Sequence, residues 1–563
     1  MKPHRQNVQW SLLILYLSVL GLLLWLVLYP NLYIFVQSLK REGGFTFLNY
    51  QEFFLNPSQI EALSNSVLIS LGSVFLSASI GVPLAFAFNL YDFPGRRILA
   101  ALASLPVLLP PLVGVVSFLF LYGESGILSR GLQYGLGLKD PPVALRGVWA
   151  ILFVHAYTMY VYFYLFVSAG LRRFDFSLVE ASRSLGASRV RTFFLVTLRL
   201  LTPAMTGASL LTFMTSMASF SAPYIFGGGV RVLALQIYNS KLNGDLEMAL
   251  VETVILTATS IFFLILLRRY EGTERYRSVS KGTQRPPELV QGRFLRMGLG
   301  VVGVLAVLFL LLPHFTLILV SFSRDGTWTT EILPPAYTIE NYRRLFSSTQ
   351  FLDPILNSLE MAALATAGNL LFALLAGYLI VRKRVRGRLL LGMLILLPWA
   401  LPGTVLGLSL ATTFDRYDPL QGRLLLVGTY WILPLAYFIR NIPVVVRAVQ
   451  ASFEQFDPAL EEAARSLGAT WLYSFRRVVF PMIVPGVISG SLLAFVAALG
   501  EFVTSIVIYT IHNRPISIEI LAQLRQFNFG SAAAYGVLLV MLIAAVFVLS
   551  EKYSSDGAQL GLS

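Results

Sequence analysis

The chain has 563 residues, of which 56% are hydrophobic and only 13% charged, with a mean hydropathy of +0.71 and a formal net charge of +14. A soluble globular protein carries about 25% charged residues, so an ordinary water-soluble domain is excluded, and the basic excess reads as loops anchored on the cytoplasmic side of a lipid bilayer rather than as a nucleic-acid surface. With no cysteine, disulfides, thiolate metal sites and thiol catalysis are excluded, and His4, His155, His314 and His512 are too scattered to suggest metal ligands.

Twelve apolar segments follow one another near 10–37, 62–90, 98–122, 147–171, 201–222, 249–267, 297–321, 358–381, 389–413, 424–446, 482–508 and 533–549. Residues 10–29 follow Lys2 and Arg5 in the manner of a signal peptide. Their apolar run exceeds the roughly 7–15 residues of such a signal's core and no small-residue cleavage site follows, so they read as a retained first span. Lipid leaves no partner for stray backbone amides, so every span is expected to be helical, with Pro83, Pro106 and Pro434 tolerated through neighbouring helices. If the N-terminus is cytoplasmic, the N-tail, the loops near 91–97, 172–200, 268–296, 382–388 and 440–481, and the C-tail carry 29 of the 43 Lys and Arg residues. That bias predicts that both termini are cytoplasmic and that the span count is even. The basic linker 271–296, with Pro286-Pro287, reads as a connector.

The chain repeats across that connector. Asn65-Ser66 matches Asn357-Ser358, and Pro106 and Pro110 match Pro398 and Pro402, all offset by 292. VEASRSLGA at 179–187 matches EEAARSLGA at 461–469, and Pro203 matches Pro485, offset by 282. The expected architecture is an all-α polytopic membrane protein of about 12 helices. It comprises two parallel six-helix repeats, 1–270 and 297–550, and a cytoplasmic tail, 551–563.

The segment repeated at offset 282 reads as a short cytoplasmic amphipathic helix, near 175–187 and 457–469. Asp175 and Asp457 suit the N-cap, with Pro458 at the first helical position; in the first copy Ser177 and Glu180 could instead form a capping box. Gly186 and Gly468 suit a left-handed residue at the C-terminal end. A lone helix of this kind would read as lying on headgroups. Two copies at matched positions suggest a docking surface for a two-fold symmetric partner.

The second copy has Glu462-Ala463-Ala464, then Gly468, then Val478-Val479-Phe480-Pro481. It resembles the EAA signature of ABC importer permeases. The first copy has Glu180-Ala181-Ser182, Gly186 and Val196-Thr197-Leu198-Arg199, and departs at Ser182 and at Arg199. The resemblance covers nearly the whole chain and implies a type I ABC importer (MetI-like) permease fold. It also implies coupling through Glu180, Ala181, Gly186, Glu462, Ala463, Ala464 and Gly468 to a homodimeric ABC ATPase on the cytoplasmic side, an extracytoplasmic substrate-binding protein, and a prokaryotic inner membrane. The chain carries no G-x-x-x-x-G-K-[ST] phosphate loop, so it reads as a non-catalytic subunit without cofactor or resident metal.

Ionisable residues inside spans are functional candidates. Glu252 and Glu501 stand out, with Glu360 nearer a helix end. Phe502 follows Glu501 and matches Phe220, while the charge is replaced by Ser219. Phe220, Glu252, Glu501 and Phe502 are therefore the candidate translocation residues. Ser219-Phe220-Ser221-Ala222-Pro223 and Gly227-Gly228-Gly229 resemble the ferric-iron group of fused permeases, with the thiamine, polyamine and phosphonate groups as alternatives. A secondary transporter is the rival class, but duplicated EAA-like loops are not expected there. A membrane enzyme would need a catalytic cluster that the sequence lacks.

Overall fold

The computed structural model describes residues 3–41, 43–140, 145–172, 174–273, 288–289, 292–328, 331–417 and 422–559. Among the described residues ten helices are long and apolar enough to cross a membrane, or up to twelve if each of two sharply bent pairs is one span. Most of the linker 271–296 lies outside the described residues. The last helix, Phe529–Gln559, runs on through most of the stretch expected as a tail.

Contacts divide the chain into two compact units that cut across the sequence halves. The amino-half unit is Tyr50–Asp245 with Ile255–Thr338; the carboxy-half unit is Ile339–Ser563 with Met1–Asn49 and Leu246–Val254. Each half's leading span thus belongs with the other half's remaining spans. In the amino-half unit, Arg293–Ser321 packs on Arg96–Leu102 and Pro111–Tyr122. A Cβ added to Gly303 would meet Leu99 and Phe93 at 3.2 and 3.3 Å. In the carboxy-half unit the first span packs along Arg388–Ala400 and Gly403–Thr413, with Tyr16 against Gly387 and the rings of Trp25 and Phe414 edge to face at 6.1 Å.

Small residues set the closest helix pair in each unit. Along Pro57–Leu90, Ser66, Ser70, Ser73 and Ser77 are buried one above another, and Gly81 lies against Tyr160 and Phe163 of Gly147–Arg172. In Thr349–Gly377 the same stripe is Ser358, Ala362, Ala365 and Asn369, and Gly377 lies against Val449 of Ile432–Gln455. In lipid, helices are drawn together by close packing rather than by a hydrophobic force, so small side chains mark the seam. Ser66, Ser70 and Ser73 also return their hydroxyls to the carbonyl four residues back, while the buried Ser77 hydroxyl has no such partner.

The matched Asn-Ser pairs have one structural task. Asn65 donates to the carbonyl of Arg231 and Asn357 to that of Arg514. Ser66 accepts from the amide of Leu233, and Ser358 from that of Ile516. Each pair holds the start of a short helix, Leu233–Leu242 or Ile516–Arg525.

The third span of each half is not continuous. Pro110 and Pro402 stand just before the helices Pro111–Tyr122 and Gly403–Thr413 with φ near −55° and extended ψ. Arg388–Ala400 and Gly403–Thr413 meet at 106°. A proline disfavours helical backbone at the residue before it, and Leu401, before Pro402, is extended, while Pro398 stays inside the first arm. Gly403 and Gly407 then let the second arm approach Val503 and Val507, where an added Cβ would meet side-chain atoms at 3.0 and 2.9 Å.

Candidate functional site

The two repeated loops fold alike. The first helix is Ser177–Ser184 and the second Pro458–Ser466, and neither buries a residue. Asp457 is the N-cap and its carboxylate accepts from the amide of Ala459 at 2.9 Å, with Pro458 in the first turn. In the first copy the cap position is Phe176; Asp175 accepts from the amide of Ser177 at 3.0 Å. Ser177 is already helical, so the alternative Ser177–Glu180 capping box does not form. Gly186 and Gly468 are left-handed, with φ of +86° and +92°. The amides of Ala187 and Ala469 reach back to the carbonyls of Ser182 and Ala464, closing each helix with a glycine-type C-terminal cap.

The chain leaves both loops the same way. Ser188 and Thr470 cap a single turn, Arg189–Thr192 or Trp471–Ser474, and a π-helical turn follows at Phe193–Thr197 or Phe475–Val479 before the long helix resumes. Pro481 follows the second π turn and Arg199 takes the matching place after the first, so proline is not what creates it. Glu180, Ala181, Gly186, Glu462, Ala463 and Gly468 are exposed, with Ala464 half-buried. Leu185 and Leu467, which precede the glycines, are 88% and 89% exposed.

What fastens the two loops differs. Glu461 pairs with Arg382, both side chains 16% exposed, and the Arg382 guanidinium lies 5.1 Å from the Phe456 ring centroid. The corresponding residues of the first copy are Val179 and Leu90, which pack against the apolar core of their unit. Ser182 shares a hydrogen bond with Thr192 at 3.1 Å; the second copy has Ala464 and Ser474 there.

A second pair of matched features lies within the spans. Helix Phe480–Leu499 stops at Gly500, and a short helix, Val503–Ile508, begins after Phe502. One Glu501 carboxylate oxygen accepts from the amide of Thr504 at 2.8 Å, and the other lies 2.8 Å from Nε of Arg440. The Glu501 carbonyl accepts from the hydroxyls of Ser505 and Ser517, and the Tyr437 and Ser505 hydroxyls are 2.7 Å apart. In the amino-half unit, Leu198–Met217 stops likewise and Ser221–Phe226 begins after Phe220. There the linkage is neutral: Nε2 of His155 is 2.8 Å from the Ser219 hydroxyl, and Nδ1 is 2.9 and 3.2 Å from those of Ser73 and Ser216.

A family model described as the binding-protein-dependent transport system inner membrane component matches residues 77–273 and again 369–554. The chain belongs to that family. It is an ABC importer permease with both halves fused in one chain, and the two matches each begin inside the second span of a half. It is 30% identical to a probable ABC transporter permease of Sinorhizobium fredii, over 88% of this chain and 87% of that protein. It is 28% identical to a ferric transport system permease protein of Actinobacillus pleuropneumoniae, over 96% of this chain and 78% of that one. A sulfate transport system permease protein of Salmonella typhimurium is 36% identical, over 36% of this chain and 76% of its own length.

The remaining sequence candidates of the permease fall in different surroundings. Phe220 and Phe502 are 0% and 2% exposed; the Phe220 ring stacks on Tyr224 and meets Tyr238 edge to face. Glu252 is fully buried. Glu360 is exposed, and the Tyr430 hydroxyl donates to it at 3.2 Å. Glu501 faces a cationic partner, Arg440, inside a span. Arg440 falls both in the apolar segment 424–446 and in the loop read from 440, and the loop reading counts it among the cytoplasmic basic residues. The helix runs from Ile432 to Gln455 and carries Arg440 in its interior. Glu519, 3% exposed and paired with Arg514 at 2.7 Å, was also missed. It lies past the last part of the segment read as a span. Among the described residues no three His, Asp or Glu side chains are grouped to hold a metal ion.

Proposed function

We propose that this permease carries ferric iron, handed over by an extracytoplasmic binding protein, across the membrane, and that a separate homodimeric ATPase drives it through the helices Ser177–Ser184 and Pro458–Ser466. The observation that carries the coupling role is the duplication itself. Two helices share exposed faces, left-handed glycine ends and a following π turn that leads into a long span. A partner closing on both helices would draw the two spans with them and rock the bundles. Such a geometry requires both loops, and with them both termini, to be cytoplasmic, which agrees with the excess of basic residues in the loops read as cytoplasmic.

The iron reading is supported by the length of the alignment with the ferric relative, which runs along both halves, whereas the sulfate relative aligns with little more than a third of the chain. Ferric ion is a hard cation that wants oxygen ligands. Within this reading the binding protein supplies the affinity and the permease a route, with Glu501 the carboxylate placed beside it at the broken span. Arg440 then keeps that carboxylate from holding the cation tightly.

The test is uptake into proteoliposomes that contain the permease and its ATPase. Binding protein loaded with ferric ion should stimulate both ATP hydrolysis and iron accumulation, and the permease without the ATPase should do neither. Stimulation by a sulfate-loaded binding protein in place of the iron-loaded one would overturn the substrate. ATP hydrolysis by the chain alone would overturn the division of labour.

A further inference from the structure

The turn between the second and third spans of the carboxy half is unlike its repeat. Residues 382–388 read Arg-Lys-Arg-Val-Arg-Gly-Arg. Arg382 is committed to Glu461 and the Phe456 ring, and the Lys383 ammonium lies 5.5 Å from the Tyr378 ring centroid. Arg384 and Arg388 instead line a cleft of about 460 Å³ together with Ile380, Val381 and Glu454. Among the described residues neither arginine has a carboxylate within ion-pair reach. Arg384 is held at φ +47°, a left-handed conformation that side chains other than glycine, asparagine and aspartate seldom adopt.

The matched turn of the amino half settles its charge internally. Asp92 stands where the carboxy half has Arg384, and Arg96 where it has Arg388. Arg96 lies 3.8 Å from the Asp92 carboxylate and donates to the carbonyl of Phe88 at 2.9 Å. The cleft at the carboxy-half turn therefore holds two cations that the fold does not use, next to one carboxylate and the apolar end of a span.

We propose that this cleft binds the headgroup of a phospholipid carrying both a phosphate and an ammonium, of the phosphatidylethanolamine type. Arg384 and Arg388 take the phosphate, for which the forked guanidinium is suited. Glu454 takes the ammonium. Ile380 and Val381, half-buried in the last turn of the span, lie beside the first acyl carbons. Basic residues at the membrane face of a span attract lipid phosphate. Here Glu454 disfavours an anionic headgroup that brings no ammonium to offset its phosphate, and the apolar wall disfavours a free phosphate. The proposal rests on the reading of the chain as a membrane-spanning permease.

The experiment uses the full chain in mixed-lipid nanodiscs containing phosphatidylethanolamine, phosphatidylglycerol and phosphatidylcholine, with native mass spectrometry of the lipids that remain bound after release. The wild-type chain is expected to retain the ethanolamine lipid over the other two. Removing one arginine contact should lower that retention about fivefold, so Arg384→Gln with Arg388→Gln should all but abolish it. Glu454→Gln should invert the preference toward phosphatidylglycerol while leaving binding itself intact, which a merely misfolded chain would not do. Equal retention of ethanolamine lipid by wild type and the double variant overturns the site. So does protection against heat by inorganic phosphate or free phosphoethanolamine equal to that given by the lipid, which would assign the cleft to a soluble anion. A chain that still stimulates its ATPase but shows no lipid selectivity refutes the lipid site alone and leaves the transport reading standing.

Discussion

In the amino-half loop, Phe176 and Val179 lie against the apolar core of their unit. In the carboxy-half loop the place of Val179 is taken by Glu461, tied to Arg382 where the amino half has Leu90. The backbones match nonetheless, down to the left-handed glycines and the π turns. The broken spans present the same contrast, with a neutral His155–Ser219 contact in one unit and the Arg440–Glu501 ion pair in the other. Local signals, namely caps, glycines and prolines, set the shape of each repeat. The side chains that fasten the shape to its unit have diverged, one half toward apolar or neutral contacts and the other toward charge. The two halves should therefore respond differently to the loss of a charge and to salt.

The largest expected difference is at the broken spans. Glu501→Gln strips Arg440 of its carboxylate inside a span; the Arg440 side chain is 29% and the Glu501 side chain 10% exposed, so the loss of this charged hydrogen bond is expected to cost about 2 kcal/mol. Ser219→Ala removes one neutral hydrogen bond, which costs about 1 kcal/mol. Thermal unfolding of the purified chain in detergent should show that ranking, and Arg440→Gln added to Glu501→Gln should recover part of the loss. Equal destabilisation by the two single variants would erase the contrast. Transport in the double variant then reads the role of Glu501 in the route apart from its role in stability.

Next come the glycines. An added Cβ at Gly186 or Gly468 meets no atom within 4 Å, so within the chain both substitutions cost the left-handed backbone penalty alone, roughly 1 kcal/mol. A gap between Gly186→Asp and Gly468→Asp therefore measures the docked partner. The second copy carries the full EAA-type pattern, so Gly468→Asp should uncouple ATP hydrolysis from uptake more severely at matched expression. A more damaging Gly186→Asp would reverse the ranking, and normal coupling in both would remove these helices from the docking role.

Arg382→Gln should loosen the second loop by about 1 kcal/mol or less, as expected for a partly exposed ion pair, and leave the first unchanged. Hydrogen exchange of Pro458–Ser466 should also quicken in 1 M salt, where the screening length falls to about 3 Å, while Ser177–Ser184 should not respond. The smallest effect expected is that of Ser182→Ala, which frees Thr192 from its partner and costs roughly 0.5 kcal/mol. Faster exchange confined to Ser177–Thr192 would register it.

These expectations draw on features legible in the sequence to different degrees. The two loop helices were readable because Asp457-Pro458 and the glycines are local instructions, written within one turn of where they act. The proline pairs were readable as a repeat, though not as breaks, because tolerance of proline in a membrane depends on which neighbour covers the freed carbonyl. Phe176 displaced the expected cap of the first copy because Asp175 could serve the same amide from one residue further back. Arg440 escaped notice because hydropathy marks where lipid ends and not where a helix ends. The exchange of leading spans could not be read at all, since an apolar face carries no record of which apolar face it meets.

That exchange sets an order of events during synthesis. The span Trp10–Ser38 is made first, yet the helices it packs against begin beyond Ile339. At ribosomal rates of about 5–20 residues per second, the intervening 300 or so residues take roughly 15–60 s to emerge. Throughout that interval the newborn first helix sits in lipid with its packing face uncovered. A ribosome that stalls in the second half releases a product whose first helix never meets its mates. Joining both halves in one polypeptide ensures that the late partner is always made beside the early one, in equal number and in the same patch of membrane.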